Sequence, residues 1–242
     1  MHAGRPSFGD ELLPFLDQLT PAERQELELV GRERRLPAGR MLFAEGDDPH
    51  DVIVVISGHL KLFVEADDGR PLVLDVLGPG SIVGELGLVS GRQRSASVST
   101  VERVRVLVVP IPRFERYLDV HPPVLRLLMA VLAHRLRRAD HRQLELALGD
   151  SVGRVCSRLV ELSQHWAAPI TVLRPDGTQA GDENDIQFSL PLTQTELAAW
   201  TGLSREAVVK ALHKLRALGW IENKGTTFLI HDIDALRHRG GR

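Results

Sequence analysis

Two short groups of residues in the first half of the chain have the chemistry needed to hold a small anion. The first group is Gly84-Glu85-Leu86, and Arg94-Ser95-Ala96 follows after a short gap. Glycine allows close backbone approach, the N–H groups of a short helical turn over residues 86–88 can point at an anion, and arginine donates charge-assisted hydrogen bonds to phosphate. Ser95 adds a hydroxyl group, and Glu85 can accept a hydrogen bond from a ribose hydroxyl. The pattern predicts a site for a ligand that carries a phosphate and a sugar, such as a cyclic nucleotide.

A different interpretation of Glu85 and Arg94 is an ordinary ion pair on the surface of a loop, which contributes little to stability. The two residues lie nine positions apart, a spacing that often occurs by chance. The glycine before the glutamate and the Ser-Ala pair after the arginine, within a segment of short apolar runs, favour the binding site.

A second group of residues, near the other end of the chain, is typical of a helix-turn-helix. Thr193 and Glu196 have the spacing of a capping box at the start of a helix. Gly202 allows a tight turn, and Ser204 can cap a second helix that begins at Arg205. In a DNA major groove an arginine can donate to guanine and a glutamate can accept from cytosine. The candidate DNA-binding residues are Thr193, Gln194, Ser204, Arg205, Glu206, Val209, Lys210 and Lys224.

The segment Trp220 to Ile230 follows this pair of helices and contains Lys224-Gly225-Thr226-Thr227, which is typical of a hairpin tip that contacts phosphate. The alternative is a helical pair that packs against a partner protein, with its charged side chains in solvent. The capping box, the glycine turn, the Ser-Arg-Glu start and the basic hairpin occur in this order within about 35 residues, the size of a winged helix-turn-helix. The combination favours DNA binding.

The distribution of charge agrees with a basic C-terminal part. The 242 residues carry a formal net charge of -2, which excludes a uniformly basic protein. Residues 41–100 contain nine acidic and four basic residues, whereas residues 201–242 contain four acidic and eight basic ones. A polyanion is therefore expected to bind the C-terminal part. The length predicts two domains.

Two kinds of element must position these residues. Between Arg40 and Pro110, short runs of Val, Ile and Leu separated by glycines predict an antiparallel sandwich or barrel. From Val124 to Leu148 there is no Gly or Pro, which predicts one long helix. Its apolar stripe predicts contact with the same helix of a second copy, and packing on the chain's own barrel is the alternative. The stripe consists of Leu125, Leu128, Leu132, Leu136, Ala139, Gln143 and Leu146.

Other functional classes are disfavoured by the composition. Cys156 is the single cysteine and the ten histidines are scattered, so no metal site is expected. The chain has no Gly-x-Ser-x-Gly motif and no P-loop lysine, which disfavours an enzyme that hydrolyses or transfers nucleotides. No signal peptide and no membrane-spanning stretch is recognised, so the expected location is the cytoplasm, with no membrane partner.

These motifs, in this order, resemble the superfamily of bacterial transcription factors that contains the cyclic AMP receptor protein and the fumarate-nitrate regulator. The resemblance is to the cyclic-nucleotide-binding branch and extends from about Leu12 to Arg239. It implies an α+β protein with an N-terminal antiparallel β-barrel (jelly roll) that binds a cyclic nucleotide, a long dimerisation helix and a C-terminal winged helix-turn-helix. The expected domain boundaries are 1–120, 121–149 and 150–242.

The resemblance also implies a ligand, partners and residue roles. The implied ligand is cyclic AMP. The implied partners are double-stranded DNA with a palindromic operator, a second copy of the chain in a homodimer, and RNA polymerase. The residues that would bind phosphate and ribose are Gly84, Glu85, Arg94 and Ser95, flanked by Leu86 and Ala96. The residues that would read a palindrome of the GTG...CAC kind are Arg205, Glu206 and Lys210.

Two positions depart from the pattern of the superfamily. Where its cyclic AMP binders usually place small hydroxyl or amide residues on the long helix, facing the adenine, this chain has Ala139-Asp140. A carboxylate can accept from the amino group of adenine, but it also matches the N1–H and amino groups of guanine, so cyclic GMP is an alternative ligand. A solvated Asp140 in a degenerate pocket would make the chain a ligand-independent transcription regulator. Val209 also stands where the superfamily often has a smaller or polar residue.

Overall fold

The computed structural model of the chain describes residues 13–67, 69, 71–166, 172–173, 179–180, 186–189, 193–224 and 227–241. The described residues up to Asp140 form one unit, and those from His141 onwards form a second. The first unit contains most of the strands, and the second contains the paired helices near the C-terminal end.

The first unit begins with helices and continues as a run of short strands. A 3-10 helix, Phe15–Gln18, precedes α1, and Thr20 and Glu23 form a capping box at the start of α1. Helices α1, α2, α3 and α4 span Pro21–Val30, Glu85–Ser90, Ile111–Val120 and Pro122–Leu148. The strands are β1 (Arg32–Leu36), β2 (Met41–Phe43), β3 (Asp51–Ser57), β4 (Leu60–Glu65), β5 (Pro71–Leu77), β6 (Ile82–Val83), β7 (Ser97–Thr100) and β8 (Val104–Pro110).

These strands form two antiparallel sheets of four strands each. One sheet has the order β1-β8-β3-β6, and the other has the order β2-β7-β4-β5. Strand β3 pairs with β8 in a register that places Ile53 opposite Val108 and Val54 opposite Leu107. The architecture is an antiparallel β-roll followed by a long helix, so the predicted fold class of the N-terminal part is confirmed.

The uninterrupted apolar sequence of β3 follows from burial on both of its faces. Successive side chains of a strand point to opposite faces. Ile53 and Val55 belong to a core shared by the two sheets, whereas Val52 and Val54 belong to a second core that includes the helices. A strand covered on both sides needs apolar residues at every position, rather than at alternate ones.

Helix α4 presents two different apolar faces. Val124, Leu128 and Val131 are buried in the core with the helices, while Leu125 and Leu136 are exposed. The stripe predicted from the sequence therefore combined two faces, because Leu128 belongs to the face that packs on the helix's own domain. The outward face consists of Leu125, Met129 and Leu136, of which Met129 and Leu136 are more than 60% exposed.

The second unit contains the predicted pair of helices and a small sheet. Helices α5, α6, α7 and α8 span Ser151–Trp166, Gln194–Thr201, Arg205–Ala217 and Ile233–Arg239. Strands β9 (Val172–Leu173) and β10 (Gln179–Ala180) pair with each other, and β11 (Ile186–Ser189), β12 (Ile221–Lys224) and β13 (Thr227–Ile230) form a sheet with β13 in the centre. The winged helix-turn-helix is thereby confirmed, although Gly225 and Thr226 of the predicted hairpin tip lie outside the described residues. Within the described ranges, none of the helices combines the length and hydrophobicity that a bilayer-spanning segment needs.

Candidate functional site

Arg94 is the central residue of the candidate ligand site, and it is almost fully buried, with 5% of its surface exposed. Its Nη1 donates to the carbonyl oxygen of Gly84 at 2.9 Å. Its Nη2 donates to the carbonyl oxygen of Asp51 at 2.7 Å and to the Oδ1 atom of the same residue at 3.0 Å. The guanidinium carbon lies 4.1 Å from the centre of the Phe43 ring. The guanidinium group is therefore fixed by acceptors at its edges and by an aromatic ring at its face.

The main chain around Arg94 is also fixed. The Arg94 N–H donates to the carbonyl oxygen of Asp47 at 2.8 Å, and the Gly46 N–H donates to the carbonyl oxygen of Arg94 at 2.9 Å. These two bonds hold the loop before β7 against the loop between β2 and β3. The backbone of Arg94 is thus positioned by main-chain hydrogen bonds, independently of the contacts of its side chain.

Gly84 has the backbone conformation and the lack of a side chain that this arrangement requires. It precedes α2 with φ of 87°, in the left-handed region that favours glycine. A Cβ atom at this position would lie 2.5 Å from Nη1 of Arg94 and 3.2 Å from the carbonyl oxygen of Asp51. Any other residue would therefore displace the guanidinium group.

Glu85 is buried beside this arginine and pairs with a residue that the sequence analysis missed. It is 1% exposed, and its Oε1 accepts a hydrogen bond from Nη1 of Arg135 on α4. Arg135 also donates to the carbonyl oxygen of Ile82. The second carboxylate oxygen of Glu85, Oε2, is buried and has no hydrogen-bond partner among the described residues. One buried acceptor beside Arg94 is therefore available for a donor.

A signal for Arg135 exists in the sequence, although several arginines of α4 obscure it. The buried face of α4 passes through Leu128 and Val131, and the same helical spacing leads to Arg135 and Arg138. Arg138 pairs with the buried Asp75 of β5, with 3.3 Å between Nη2 and Oδ1. An arginine that continues a core-facing stripe is expected to meet a buried partner.

Burial and the neighbouring carboxylates act in opposite directions on the pKa of Arg94. Burial lowers the pKa of Arg94 from its ordinary value, and Asp51, Glu85 and Asp47 oppose this shift through their negative charges. An arginine with a lowered pKa stays protonated at neutral pH, so the guanidinium group remains a cation. Burial, with the neighbouring Arg138 and Arg137, also lowers the pKa of His134.

The structure brings together some of the predicted ligand residues and separates others. Gly84, Glu85 and Arg94 form one cluster. Next to them in sequence, Leu86 and Ser95 are exposed and Ala96 is buried. Ala139 and Asp140 lie one turn beyond Arg135 on α4 and are both exposed, and Asp140 forms no hydrogen bond or ion pair with any described residue.

The second candidate site is the start of α7, and the caps predicted for both helices are present. Thr193 and Glu196 form the capping box, with 3.1 Å from the Glu196 N–H to Oγ1 of Thr193 and 2.8 Å from the Thr193 N–H to Oε2 of Glu196. Ser204 caps α7 by accepting from the Ala207 N–H at 3.2 Å. Gly202 forms the turn with φ of 63°.

The surface of α7 carries the predicted residues in exposed positions. Arg205, Glu206, Val209 and Lys210 are exposed, whereas Val208, Ala211 and Leu212 form the buried side of the helix. His213 lies one turn beyond Val209 and Lys210, is exposed, and was not singled out by the sequence analysis. Of the remaining candidates, Thr193, Gln194, Ser204 and Lys224 are also exposed.

A buried cluster of charged residues lies within the second unit. Arg158 of α5 is 2% exposed and Glu161 is 2% exposed. Arg158 forms one ion pair with Glu145 of α4 and another, at 2.7 Å, with Glu161. Glu161 accepts a hydrogen bond from Arg142 at 2.6 Å. The guanidinium carbon of Arg158 lies 5.6 Å from the ring centre of Trp200 in α6. The last turns of α4 are thereby joined to α5 and to the helix-turn-helix.

Two family models match the segments of the chain that contain the candidate site residues. Residues 33–121 match the model of the cyclic nucleotide-binding domain, and residues 153–239 match the Crp-like helix-turn-helix domain. A CRP-like cAMP-activated global transcriptional regulator from Mycobacterium tuberculosis is 34% identical over 84% of this chain and 85% of its own length.

Two solved structures have the same fold. FixK2 from Bradyrhizobium japonicum superposes with a TM-score of 0.73 at 22% identity, covering 86% of this chain and 96% of that one. The c-di-GMP responsive global regulator CLP from Xanthomonas campestris has a TM-score of 0.70 at 26% identity, covering 88% of this chain and 99% of that one.

Proposed function

The chain belongs to the CRP-like family of transcriptional regulators, and we propose that within this family its DNA binding is controlled by cyclic AMP. The observation that carries this proposal is the buried Arg94 beside Gly84 and Glu85. A buried cation held by neutral carbonyl oxygens as well as a carboxylate is suited to a ligand that brings one phosphate charge.

The phosphate would bind the edge of the Arg94 guanidinium group formed by Nε and Nη2, and the unused hydrogen of Nη1 would be a further donor. Of the nitrogen atoms of Arg94, Nε is buried and has no hydrogen-bond partner among the described residues. Nη1 has two hydrogens and donates one of them to Gly84. The backbone N–H groups of residues 86–88, in the first turn of α2, would add donors from the other side.

The ribose and the base would occupy the side of the site toward α4. Oε2 of Glu85 is the acceptor for the ribose 2'-hydroxyl, because it is buried and lacks a partner among the described residues. The base would lie against α4 near Ala139 and Asp140, where the carboxylate accepts from the amino group of adenine. The same carboxylate matches guanine, so cyclic GMP is the competing ligand.

The partner for the outward face of α4 would be a second copy of the chain. Leu125, Met129 and Leu136 lie at helical spacing and are all exposed. Leu132 completes a repeat of four and three residues, which is the spacing of a coiled-coil seam. A symmetric dimer would bury this face and present two recognition helices to one duplex.

The DNA site would be a palindrome read by the exposed start of α7. Two copies of α7 would enter successive major grooves about 34 Å apart. Arg205 would donate to guanine and Glu206 would accept from cytosine, with Lys210 as the third residue that reads the bases. Lys224 would contact phosphates. RNA polymerase is the further partner that family membership suggests.

Two observations favour a different function, a transcription regulator that binds DNA without a ligand. Protein acceptors already engage both Nη atoms of Arg94, and Asp140 is exposed. In that case the buried cluster would serve only the stability of the β-roll.

A thermal-shift panel with cyclic AMP, cyclic GMP and cyclic di-GMP, followed by DNA-binding measurements, tests the proposal. A ligand bound only by the native state adds about 2.7 kcal/mol at 100 times its Kd, and so raises the Tm. We expect cyclic AMP to raise the Tm and to tighten binding of a GTG...CAC duplex in fluorescence anisotropy. A larger shift with cyclic GMP would reassign the ligand. The absence of any shift, with equal DNA affinity in all conditions, would support the ligand-independent regulator.

A further inference from the structure

We propose that Asp51 sets the ligand affinity of the phosphate site, because its carboxylate competes with the phosphate of the ligand for Arg94. The inference rests on the proposed function, since it assumes that Arg94 binds a phosphate. Asp51 is the first residue of β3 and lies 43 positions before Arg94 in the sequence.

Asp51 already accepts the hydrogens of Nη2 of Arg94. Nη2 carries two hydrogens. It donates to two acceptors, and both belong to Asp51: the carbonyl oxygen at 2.7 Å and Oδ1 at 3.0 Å. One residue therefore uses the full donor capacity of Nη2. A phosphate that approaches Nη2 must displace Oδ1 or share its hydrogen.

The negative charge of the Asp51 carboxylate opposes the binding of a phosphate to Arg94. The negative groups that act on Arg94 are Asp51, Glu85 and Asp47. Glu85 is already paired with Arg135, so its charge is balanced by a second arginine. The Asp51 carboxylate pairs with Arg94 itself, and a phosphate bound to Arg94 would lie close to it. Like charges at short range repel, and the repulsion is larger where burial excludes water.

The carboxylate of Asp51 is not needed to position Arg94. The carbonyl oxygens of Gly84 and Asp51 both accept from the guanidinium group, and Phe43 lies against its face. These contacts are made by the backbone and by an aromatic ring, so they persist when the side chain of residue 51 loses its charge.

The surroundings of Asp51 also give its carboxylate room to move. Its side chain is 33% exposed, whereas that of Arg94 is 3% exposed. It lines a cavity of about 120 Å³ together with Arg34 and Arg40. The cavity gives a carboxylate released from Arg94 space to rotate, and two of its lining residues are cations.

The test is titration calorimetry with cyclic AMP on the wild-type chain, Asp51→Asn and Asp48→Asn. Asparagine keeps the size of the side chain and an oxygen that accepts from Nη2, and it removes only the charge. Asp48 is an exposed residue of the loop that precedes β3, so Asp48→Asn controls for the loss of one negative charge.

We expect Asp51→Asn to lower the Kd about tenfold. A like charge about 5 Å away changes affinity by roughly fourfold in water and by roughly three-hundredfold at an effective dielectric constant near 20. Asp48→Asn should change the Kd less than twofold. Asp51→Ser, which removes the charge in a smaller side chain, should change the Kd in the same direction and serves if the asparagine variant unfolds.

An unchanged or higher Kd in the Asp51 variants would overturn the inference, because it would make Asp51 neutral or a residue that positions Arg94. Binding by Asp51→Asn with none by the wild-type chain would support it in its strongest form. No binding by either chain, with both folded by their thermal melts, would overturn the proposed ligand as well as the inference.

Discussion

Replacing Gly84 with alanine perturbs the candidate ligand site through a single methyl group. The substitution has two separable costs. Alanine at φ of 87° enters the left-handed region, at about 1–2 kcal/mol. Its Cβ would also lie 2.5 Å from Nη1 of Arg94, so the guanidinium group must move and its bond to the Gly84 carbonyl oxygen is lost. A hydrogen bond to a charged group contributes about 1.5–3 kcal/mol.

Gly91 provides a matched control for the first of these costs. It caps the other end of α2 with φ of 60°, and a Cβ there would meet no atom within 4 Å. Gly91→Ala should therefore lower the free energy of unfolding by about 1–2 kcal/mol and leave the affinity for cyclic AMP unchanged.

Gly84→Ala should lose at least this much stability and, in addition, about tenfold to a hundredfold in ligand affinity, since about 1.4 kcal/mol corresponds to a factor of ten. Denaturant unfolding measures the first quantity, and titration calorimetry measures the second. Equal affinities in the two variants would refute the reasoning, because they would mean that the position of the Arg94 guanidinium does not matter for binding.

Three other substitutions test the remaining parts of the proposal. Arg205→Ala should cost about 1–3 kcal/mol on the cognate duplex and relax the choice at one base pair, as measured by binding to a set of single-base variants; an unaltered sequence preference would exclude a base contact. Leu136→Glu should convert a dimer into monomers in sedimentation velocity, whereas Leu29→Glu, at an exposed leucine of α1, should not; a dimer that persists would place the seam elsewhere. Glu161→Gln should lower the free energy of unfolding of the second unit by about 3 kcal/mol, because it leaves Arg142 and Arg158 with less opposing charge; an unchanged Tm would mean that water already compensates these arginines.

Much of the fold could be predicted because its elements depend on local patterns. The capping boxes, the glycine turn at Gly202 and the long stretch without Gly or Pro each specify a helix boundary through contacts within a few residues. The apolar runs of the β-roll likewise indicate strands. The faces of α4 could not be assigned in the same way, because Leu125 and Leu128 have the same side chain and only tertiary packing makes one exposed and the other buried.

The site could be predicted only where its residues are close in sequence. Gly84 and Glu85 are adjacent, and Arg94 follows in the same segment. Asp51 and Arg135 were missed because they reach the site from β3 and α4, 43 positions before Arg94 and 50 positions after Glu85. Pairing across such separations depends on the strand order and on the docking of a helix, neither of which a local pattern contains.

Two of the ion pairs that the sequence did not predict involve α4. Arg135 is tied to Glu85 in the first unit, and Glu145 of the same helix is tied to Arg158 in the second. Buried ion pairs are directional and costly to break, so each pair fixes only the part of α4 that lies within its own unit. If the ribose hydroxyl of the proposed ligand donates to Oε2 of Glu85, the carboxylate is shared between the ligand and Arg135, and the strength of its ion pair with Arg135 changes. A ligand can shift the protein only if its affinity differs between two arrangements, and the Glu85–Arg135 pair is where such a difference would arise.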